Sequence, residues 1–353
     1  MKNLQFAICL LLASTAALAA PKAFVPNQGD ETISVIDIAG GTVEATLNAS
    51  SNPQGVAATA DGATLFVTNE NAGSIAVIDT ATNTITGTIS LPTGRPVGIS
   101  LSPDETTLLV ADATFDALHA VDIASGTVSG TLTLPSPAQV QFSADGTKAW
   151  VALANAGDIE VVDVASLTVA STIASVGINP SGLLLDGNRL YVATQGNLVI
   201  IDATSDSIVE TVALDASGHS RSGIALDPAT DLLYVGNGDT GEVQVIDTTI
   251  DFITDTFTPG GQPSGLALTP DGSALYLLDR ANDQVRILDP ATGSSAGTIA
   301  VGPEPLALGD FIVDAPANTP AFRKVPTLSQ TGLLIAVVLV LVAGGWAVRH
   351  HWN

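Results

Sequence analysis

The chain has few of the residues that proteins use for cross-linking, metal binding and nucleophilic catalysis. Its single cysteine, Cys9, lies in the N-terminal apolar stretch, and only His119 and His219 of the four histidines lie outside the last few residues. A mature chain without cysteine has no disulfide, no thiolate metal site and no cysteine nucleophile. Two histidines also exclude a three-histidine zinc site.

Basic residues are scarce as well. All 35 acidic residues lie between Asp30 and Asp314, where only six basic residues accompany them, so this part carries a net charge of −29. Such a field repels nucleic acid and anionic membrane surfaces, and we therefore expect no nucleic-acid partner. It favours solubility outside the cell and attracts cations.

Aromatic residues make up 4% of the chain, whereas hydrophobic residues as a whole make up 46%. The core must therefore consist mostly of valine, isoleucine, leucine and alanine. The 33 glycines and 19 prolines recur at intervals along the chain. This pattern predicts many short strands and turns.

The N-terminus has the features of a secretory signal peptide. Lys2 precedes an apolar run over residues 4–18, and Ala17-Leu18-Ala19 fits the small-x-small rule for cleavage. We predict a signal peptide over residues 1–19, with an uncleaved anchor as the alternative. Cys9 lies near the beginning of the apolar run, which argues against a lipoprotein.

Three sequence markers each recur seven times at intervals of 39 to 45 residues. The first is an aspartate that follows an aliphatic residue: Asp37, Asp79, Asp122, Asp163, Asp202, Asp247 and Asp289. The second is a large residue in an apolar run: Phe24, Phe66, Leu109, Trp150, Tyr191, Tyr234 and Tyr276. The third begins Pro-x-Gly or a relative of it: Pro53, Pro96, Pro137, Pro180, Arg221, Pro263 and Pro305.

Each repeat contains four short β-rich runs separated by turn residues. The first hairpin is closed in several repeats by an Asp-Gly turn: Asp61-Gly62, Asp145-Gly146, Asp186-Gly187 and Asp271-Gly272. Four strands in about 42 residues are typical of a propeller blade, and the β-branched content excludes helix-pair repeats. We therefore predict an all-β fold, a seven-bladed β-propeller with four-stranded blades over residues 20–314.

The order of the runs predicts how the ring closes. The mature chain begins with a second strand over residues 23–27, and a surplus first strand over residues 305–308 follows the last repeat. One C-terminal strand should thus complete a blade with three N-terminal strands, which hides the sheet edges between the first and last blades.

The repeat resembles the Tyr-Val-Thr-Asn (YVTN) β-propeller repeat over residues 23–313. The resemblance is carried by the series Pro-x-Gly-Ile-Ala, Ser-Pro-Asp-Gly, Tyr-Val-Thr-Asn and Val-Ile-Asp-x-x-Thr. The best matches to its third element are Leu65-Phe66-Val67-Thr68-Asn69 and Leu233-Tyr234-Val235-Gly236-Asn237. The resemblance implies a propeller of an exported or surface-layer protein, and it implies no particular activity.

A different pattern follows Asp314. A linker over residues 315–324 leads to an apolar stretch over residues 332–348, which is short for a membrane span. Between them lies the pentapeptide Val325-Pro326-Thr327-Leu328-Ser329. The tail over residues 325–353 resembles the IPTL-CTERM sorting signal of Gram-negative bacteria, although Val325 replaces isoleucine and Gln330-Thr331 replace Glu-Trp.

That resemblance implies an exosortase-type sorting enzyme as a partner of the tail. It also implies a transmembrane helix over residues 332–348 that holds the precursor in the inner membrane, with the propeller outside the cytoplasm. The mature protein would then reach the cell surface or the medium. A plain C-terminal anchor is the alternative.

Two kinds of loop residue are candidates for a site. Arg95, His219 and Arg221 precede first strands three blades apart, where they should border the mouth of the central channel and hold an anionic ligand. The alternative is that each arginine pairs with a neighbouring acid. The loops after second strands carry oxygen ligands of the kind that calcium prefers, which are also ordinary turn residues: Asn69, Asp112, Asn155, Asn237 and Asp279.

These patterns favour a non-enzymatic binding or scaffold module over an enzyme. His119 lies in a third strand, where it is expected to pack, and the recurring aspartates are expected to form turns. We expect a monomeric ring without a cofactor, with calcium as the alternative, and a surface protein or glycan as its partner. The competing hypothesis is a secreted, lactonase-like hydrolase with a site at the channel mouth.

Overall fold

The computed structural model describes residues 20–92, 94–214 and 223–314. This part folds into seven antiparallel four-stranded sheets, which confirms the prediction of an all-β propeller with seven blades. Within these ranges no helix is long and apolar enough to cross a membrane. The predicted signal peptide, the sorting motif and the helix over residues 332–348 lie outside the described residues.

The strands follow one another outward from the ring axis in each blade. Blade 1 comprises β1 (Lys22–Asn27), β2 (Thr32–Asp37), β3 (Thr42–Asn48) and β28 (Ile312–Val313). Blade 2 comprises β4 (Pro53–Ala58), β5 (Thr64–Asn69), β6 (Ser74–Asp79) and β7 (Thr84–Ser90). Blade 3 comprises β8 (Pro96–Leu101), β9 (Thr107–Asp112), β10 (Ala117–Asp122) and β11 (Thr127–Thr133). Blade 4 comprises β12 (Pro137–Phe142), β13 (Lys148–Leu153), β14 (Asp158–Asp163) and β15 (Thr168–Ile173).

The remaining blades repeat the arrangement. Blade 5 comprises β16 (Gly182–Asp186), β17 (Arg189–Thr194), β18 (Asn197–Asp202) and β19 (Ser207–Ala213). Blade 6 comprises β20 (Ile224–Asp227), β21 (Leu232–Asn237), β22 (Glu242–Asp247) and β23 (Phe252–Phe257). Blade 7 comprises β24 (Pro263–Leu268), β25 (Leu275–Asp279), β26 (Gln284–Leu288) and β27 (Ser295–Ala300).

The core lies between neighbouring blades and is built by the second and third strands. These strands are short runs of aliphatic and aromatic residues, which suit a sheet that is covered on both faces. The large residues of the second marker are at most 2% exposed: Phe24, Phe66, Leu109, Trp150, Tyr191, Tyr234 and Tyr276. Each fills the space between its own blade and a neighbour, so every blade depends on the next.

The recurring aspartates end the third strands, as predicted. In all seven repeats the carboxylate accepts hydrogen bonds from backbone N–H groups two or three residues on, as Asp122 does from Ser125 and Asp163 does from Ser166. Hydrogen bonds from the hydroxyl and N–H of Ser125 hold the pKa of Asp122 below its usual value. These acids therefore shape turns.

The ring closes as predicted, but the closing strand is irregular. Pro305 bridges Asn27, and the regular ladder begins only at Ile312, which pairs with Ala23. In blade 2 the equivalent positions, Pro53 and Ala58, are five residues apart rather than seven. The predicted first strand over residues 305–308 is thus only the first half of the closing strand, because two extra residues bulge before its second half.

Glycines lie where neighbouring inner strands approach one another. A Cβ at Gly55 would lie 2.2 Å from the carbonyl oxygen of Val97, and one at Gly98 would lie 2.5 Å from that of Ala138. The third residue of the Pro-x-Gly marker must therefore be small wherever the backbone of the next blade lies against it. This requirement explains why the marker recurs.

Replacing Gly55 by alanine is therefore expected to destabilise the ring by about 1–3 kcal/mol, because the backbone of blade 3 must move. Gly297 in the outermost strand of blade 7 provides the matched control, since a Cβ there meets nothing within 4 Å. Gly297→Ala should be neutral or stabilising by up to about 1 kcal/mol. Urea denaturation of both variants measures the difference, and equal stabilities would contradict the packing argument.

Candidate functional site in the central cavity

A cavity of about 790 Å³ lies on the axis of the ring. All seven inner strands contribute to its wall, from Val56 in blade 2 round to Ala307 in the closing strand. The turns at residues 228–230 and 270–272 also line it, so the cavity opens on the face that carries the first-to-second-strand turns. Its volume is that of a site for a small organic molecule.

Gln139 is a departure from the repeat in this wall. It occupies the third position of the Pro-x-Gly marker, where five other repeats have glycine and the closing strand has Ala307. The side chain is 6% exposed, and its Oε1 has no hydrogen-bond partner among the described residues. Sequence reasoning missed this residue, although its failure to match the marker was a visible signal.

Asp310 is the second residue of the cavity wall that departs from the repeat. It belongs to the two extra residues of the closing strand, next to Gly309, whose φ of +115° disfavours any side chain. The bulge turns Asp310 into the cavity, where its carboxylate accepts a hydrogen bond from the Ile312 N–H at 3.0 Å.

The surroundings of Asp310 alter its acidity. Asp310 has an exposed surface toward the cavity, yet the protein atoms around its carboxyl group disfavour the charged form. This desolvation, together with the charge of Asp314, raises the pKa of Asp310 to about 6 despite the opposing hydrogen bond from the Ile312 N–H. The carboxyl group thus titrates near neutral pH.

The other charged groups of the described cavity wall are also acidic. Asp227 ends the inner strand of blade 6, and Asp271 lies in the turn that follows the inner strand of blade 7. Hydrogen bonds from Thr269 and Ser273 lower the pKa of Asp271 to about 2, so it is ionised at neutral pH. The described part of the wall contains no lysine, arginine or histidine, and its charge is of one sign.

The described basic residues are engaged elsewhere. Each described lysine or arginine forms an ion pair with an acid: Lys22 with Glu44, Arg95 with Glu70, Lys148 with Asp206, Arg189 with Asp251, Arg280 with Glu304, and Arg286 with Asp279. Lys148 and Arg189 occupy equivalent positions at the start of second strands and bind the third-to-fourth-strand turn of the next blade. They therefore link neighbouring blades and do not compensate the cavity acids.

Arg95 does not line this cavity. It lies before β8 on the opposite face, where its guanidinium contacts Glu70 at 3.2 Å and the side chain of Asn71 at 2.6 Å. That geometry matches the alternative in which the arginine pairs with a neighbouring acid. His219 and Arg221 lie outside the described residues, so a site formed by all three stays a prediction.

The polar residues at the ends of second strands hold loops together. Asp112 is fully buried and accepts hydrogen bonds from the N–H groups of Arg95, Thr114 and Phe115. Burial opposes ionisation of Asp112, but these bonds and nearby His119 keep its pKa below the usual value. Within the described ranges no three histidine, cysteine, aspartate or glutamate side chains lie close enough together to hold a metal ion.

His119 is fully buried in the third strand of blade 3, where we expected it to pack. Its Nδ1 lies 3.1 Å from the hydroxyl of Thr131, and its Nε2 lies 3.9 Å from the Asp112 carboxylate. The ring therefore has a structural position between two strands and does not reach the cavity.

The position of Asp310 leads to a prediction about pH. Because its folded pKa lies above the ordinary value of 3.8, the folded state disfavours the charged form, and stability from this group falls as pH rises from about 4 through 6. Asp310→Asn should raise Tm by about 2 °C at neutral pH, with no gain at acidic pH. Melting curves of both proteins across this range measure the effect, and a gain independent of pH would contradict the assignment.

These features define the class of the protein as a seven-bladed propeller with an acidic cavity on its axis. The chain belongs to the YNCE-like beta-propeller family, whose model matches residues 56–248. No curated protein matches the sequence.

Two solved structures are similar to the chain. One is hydrazine synthase of Kuenenia stuttgartiensis, at 21% identity and a TM-score of 0.67, covering 81% of this chain and 100% of that one. The other is a functionally unknown protein from Desulfotomaculum acetoxidans, at 14% identity and a TM-score of 0.72, covering 84% of this chain and 99% of that one. At these identities the likeness shows the fold alone.

Proposed function

We propose that the chain is an exported, surface-attached ring that binds a small molecule in its central cavity without transforming it. The observation that carries the proposal is the cavity of about 790 Å³ whose wall takes residues from all seven inner strands. A site built on strands that are locked into a closed ring is preformed, and preformed sites lose little free energy to ordering on binding.

Binding is tested with a variant that narrows the cavity. Gln141 lines the wall and is only half-buried, so Gln141→Trp should fill space without disturbing the core. Thr298→Trp on the exposed outer strand of blade 7 is the matched control. In a thermal-shift screen of small molecules, ligands of the cavity should stabilise the natural ring and Thr298→Trp but not Gln141→Trp. Equal responses of all three proteins would contradict a site in the cavity.

The proposed location rests on the two ends of the sequence. The signal peptide over residues 1–19 would export the chain, and an exosortase-type enzyme would act on the tail over residues 325–353, which holds the precursor in the inner membrane through residues 332–348. A chain without residues 325–353 should be released into the periplasm or medium, whereas the full chain should fractionate with the envelope. Recovery of both from the cytoplasm would refute export.

A hydrolase of the lactonase type is the second candidate, favoured by Asp310. A carboxyl group with a pKa of about 6 inside a cavity has the acidity of a general acid or base near neutral pH. Turnover of a lactone that Asp310→Asn abolishes would establish the enzyme. Binding of a lactone without turnover would instead support the non-enzymatic binding module.

A further inference from the structure

Lys22, Glu44 and Asn83 form a compact polar cluster where blade 1 meets blade 2. Lys22 begins β1, Glu44 lies in the outer strand β3, and Asn83 lies in the third-to-fourth-strand turn of blade 2. The Nζ of Lys22 lies 2.7 Å from the Oε1 of Glu44 and donates a hydrogen bond to the Oδ1 of Asn83 at 2.9 Å. The Nδ2 of Asn83 donates to that same glutamate oxygen at 2.8 Å. An amine, an amide and a carboxylate are therefore in mutual contact.

The contacts orient the amide of Asn83 for a reaction. The lysine has only donors and an ionised glutamate has only acceptors, so the carbonyl of the amide must face Lys22 and its amino group must face Glu44. The hydrogen bond from Lys22 holds the pKa of Glu44 below its usual value, so this carboxylate is ionised at neutral pH. One carboxylate oxygen thus touches both the nitrogen that can attack the amide and the nitrogen that can leave it.

The equivalent position between blades 4 and 5 is built differently. There Lys148 meets Asp206, which occupies the same place in its turn as Asn83, at 2.7 Å. The residue that corresponds to Glu44 is Ala170, so a single carboxylate on the turn neutralises the lysine. Between blades 1 and 2 the turn residue is instead an amide, which has a leaving group, and a third residue supplies the carboxylate. Charge pairing alone does not require this arrangement.

We propose that Lys22 and Asn83 become joined by an intramolecular isopeptide bond, with Glu44 as the catalytic residue. Glu44 takes a proton from the ammonium group of Lys22, and the neutral amine attacks the Cγ of Asn83. The Nζ–Cγ bond forms and the Cγ–Nδ2 bond breaks. Glu44 relays the two protons that Nζ loses to the departing nitrogen, which leaves as an ammonium ion. The carboxylate is then ionised again, and no atom is oxidised or reduced.

The surroundings of the cluster favour this reaction by holding its members in place. The carbonyl oxygen of Thr80 accepts a further hydrogen bond from the Lys22 Nζ at 3.3 Å, and the Lys22 side chain is only 18% exposed. Groups held in contact in this way react far faster than the same groups free in solution. The product would tie together residues 61 positions apart. It would also anchor β1, whose Lys22 pairs with Val313 of the closing strand, at the place where the ring closes through non-covalent contacts.

Mass spectrometry of the purified natural chain tests the proposal. The chain should be lighter by one molecule of ammonia than its sequence requires, and a digest cut after glutamate should contain the peptides of Lys22 and Asn83 as one linked species. Lys22→Arg and Asn83→Ala should have the full mass, and Glu44→Gln should form the bond at least about 100-fold more slowly. The pair of Lys148 and Asp206 is the control within the same molecule, and its two peptides should be found unlinked.

Thermal melting gives an independent readout of the bond. Lys22→Arg keeps the positive charge beside Glu44 but removes the nucleophilic amine, and it should melt about 5–10 °C below the natural chain because the bond closes a long loop. Lys148→Arg makes the same substitution in the unlinked pair and should change Tm by at most about 2 °C. A natural chain of full mass, with separate peptides for Lys22 and Asn83, would overturn the proposal. Bond formation at an unchanged rate in Glu44→Gln would overturn the role of the glutamate.

Discussion

A chain that ends at Gly302 is expected to lose the cooperative fold of the whole ring. The missing segment contains five large apolar side chains that are at most 8% exposed: Leu306, Leu308, Phe311, Ile312 and Val313. At about 1.5–3 kcal/mol for each, their burial is comparable with the entire stability of a domain, which is about 5–15 kcal/mol. The segment also supplies backbone hydrogen bonds to blades 1 and 2, from Leu306 to Pro26 and from Leu308 to Gln54.

A chain that ends at Asp314 is the matched control and should melt as the full chain does. Circular dichroism melting distinguishes the two, because the shorter chain should show no cooperative transition. Phe311→Ala should lower the free energy of unfolding by about 3–5 kcal/mol, because Phe311 is fully buried against the second strand of blade 1. Its stability should therefore lie between those of the two truncated chains. A chain ending at Gly302 that melted normally would show that the ring does not depend on its closing strand.

Most of the fold could be predicted because the same sequence pattern recurs in every blade. A single Ile-Asp or Pro-x-Gly is weak information, but seven copies at a constant spacing fix the number of blades and the order of strands. The aspartates such as Asp122 were correctly predicted as turn formers for a local reason, since the carboxylate bonds to a backbone group three residues away. Local chemistry of this kind is visible in a sequence.

Contacts between blades could not be predicted in the same way. Lys148 meets Asp206 across 58 residues, and the same aspartate also accepts a hydrogen bond from the indole of Trp150. Nothing in the sequence pairs them, because the partner lies in the next repeat and its side chain must cross the gap between two sheets. Arg95 is a second example, because the sequence left open whether it binds a ligand or pairs with an acid, and only the structure shows its guanidinium against Glu70.

The cavity was missed for a related reason. The sequence predicted a site on the face of the fourth-to-first-strand loops, because the irregular loops lie there. The residues that stand out on the structure are exceptions inside regular strands, Gln139 in β12 and Asp310 in the closing strand. An exception to a repeat becomes a candidate site only when the geometry shows that it faces a cavity.

Removal of the Asp279 carboxylate is expected to lower the free energy of unfolding by about 3–5 kcal/mol. Asp279 is fully buried at the end of the second strand of blade 7. It accepts hydrogen bonds from Arg286 at 2.7 Å, from the side chains of Asn282 and Gln284, and from the N–H of Gln262. Burial raises its pKa, but these four donors outweigh it and hold the pKa below the usual value.

Asp279→Ala leaves all of these donors without an acceptor and Arg286 without its counter-charge, so Tm should fall by about 10 °C. Asp279→Asn keeps the shape but turns an amino group toward the donors, and should cost less, about 1–3 kcal/mol. Asp289→Ala, which removes an exposed turn carboxylate at the opposite end of blade 7, should cost at most about 1 kcal/mol. Since the folded pKa of Asp279 is depressed, its contribution is present at neutral pH and is lost on acidification, so the cost of each of the two Asp279 substitutions should shrink as pH falls below about 4. Urea denaturation at neutral and acidic pH measures this, and equal costs for Asp279→Ala and Asp289→Ala would show that the buried network does not hold the last blade together.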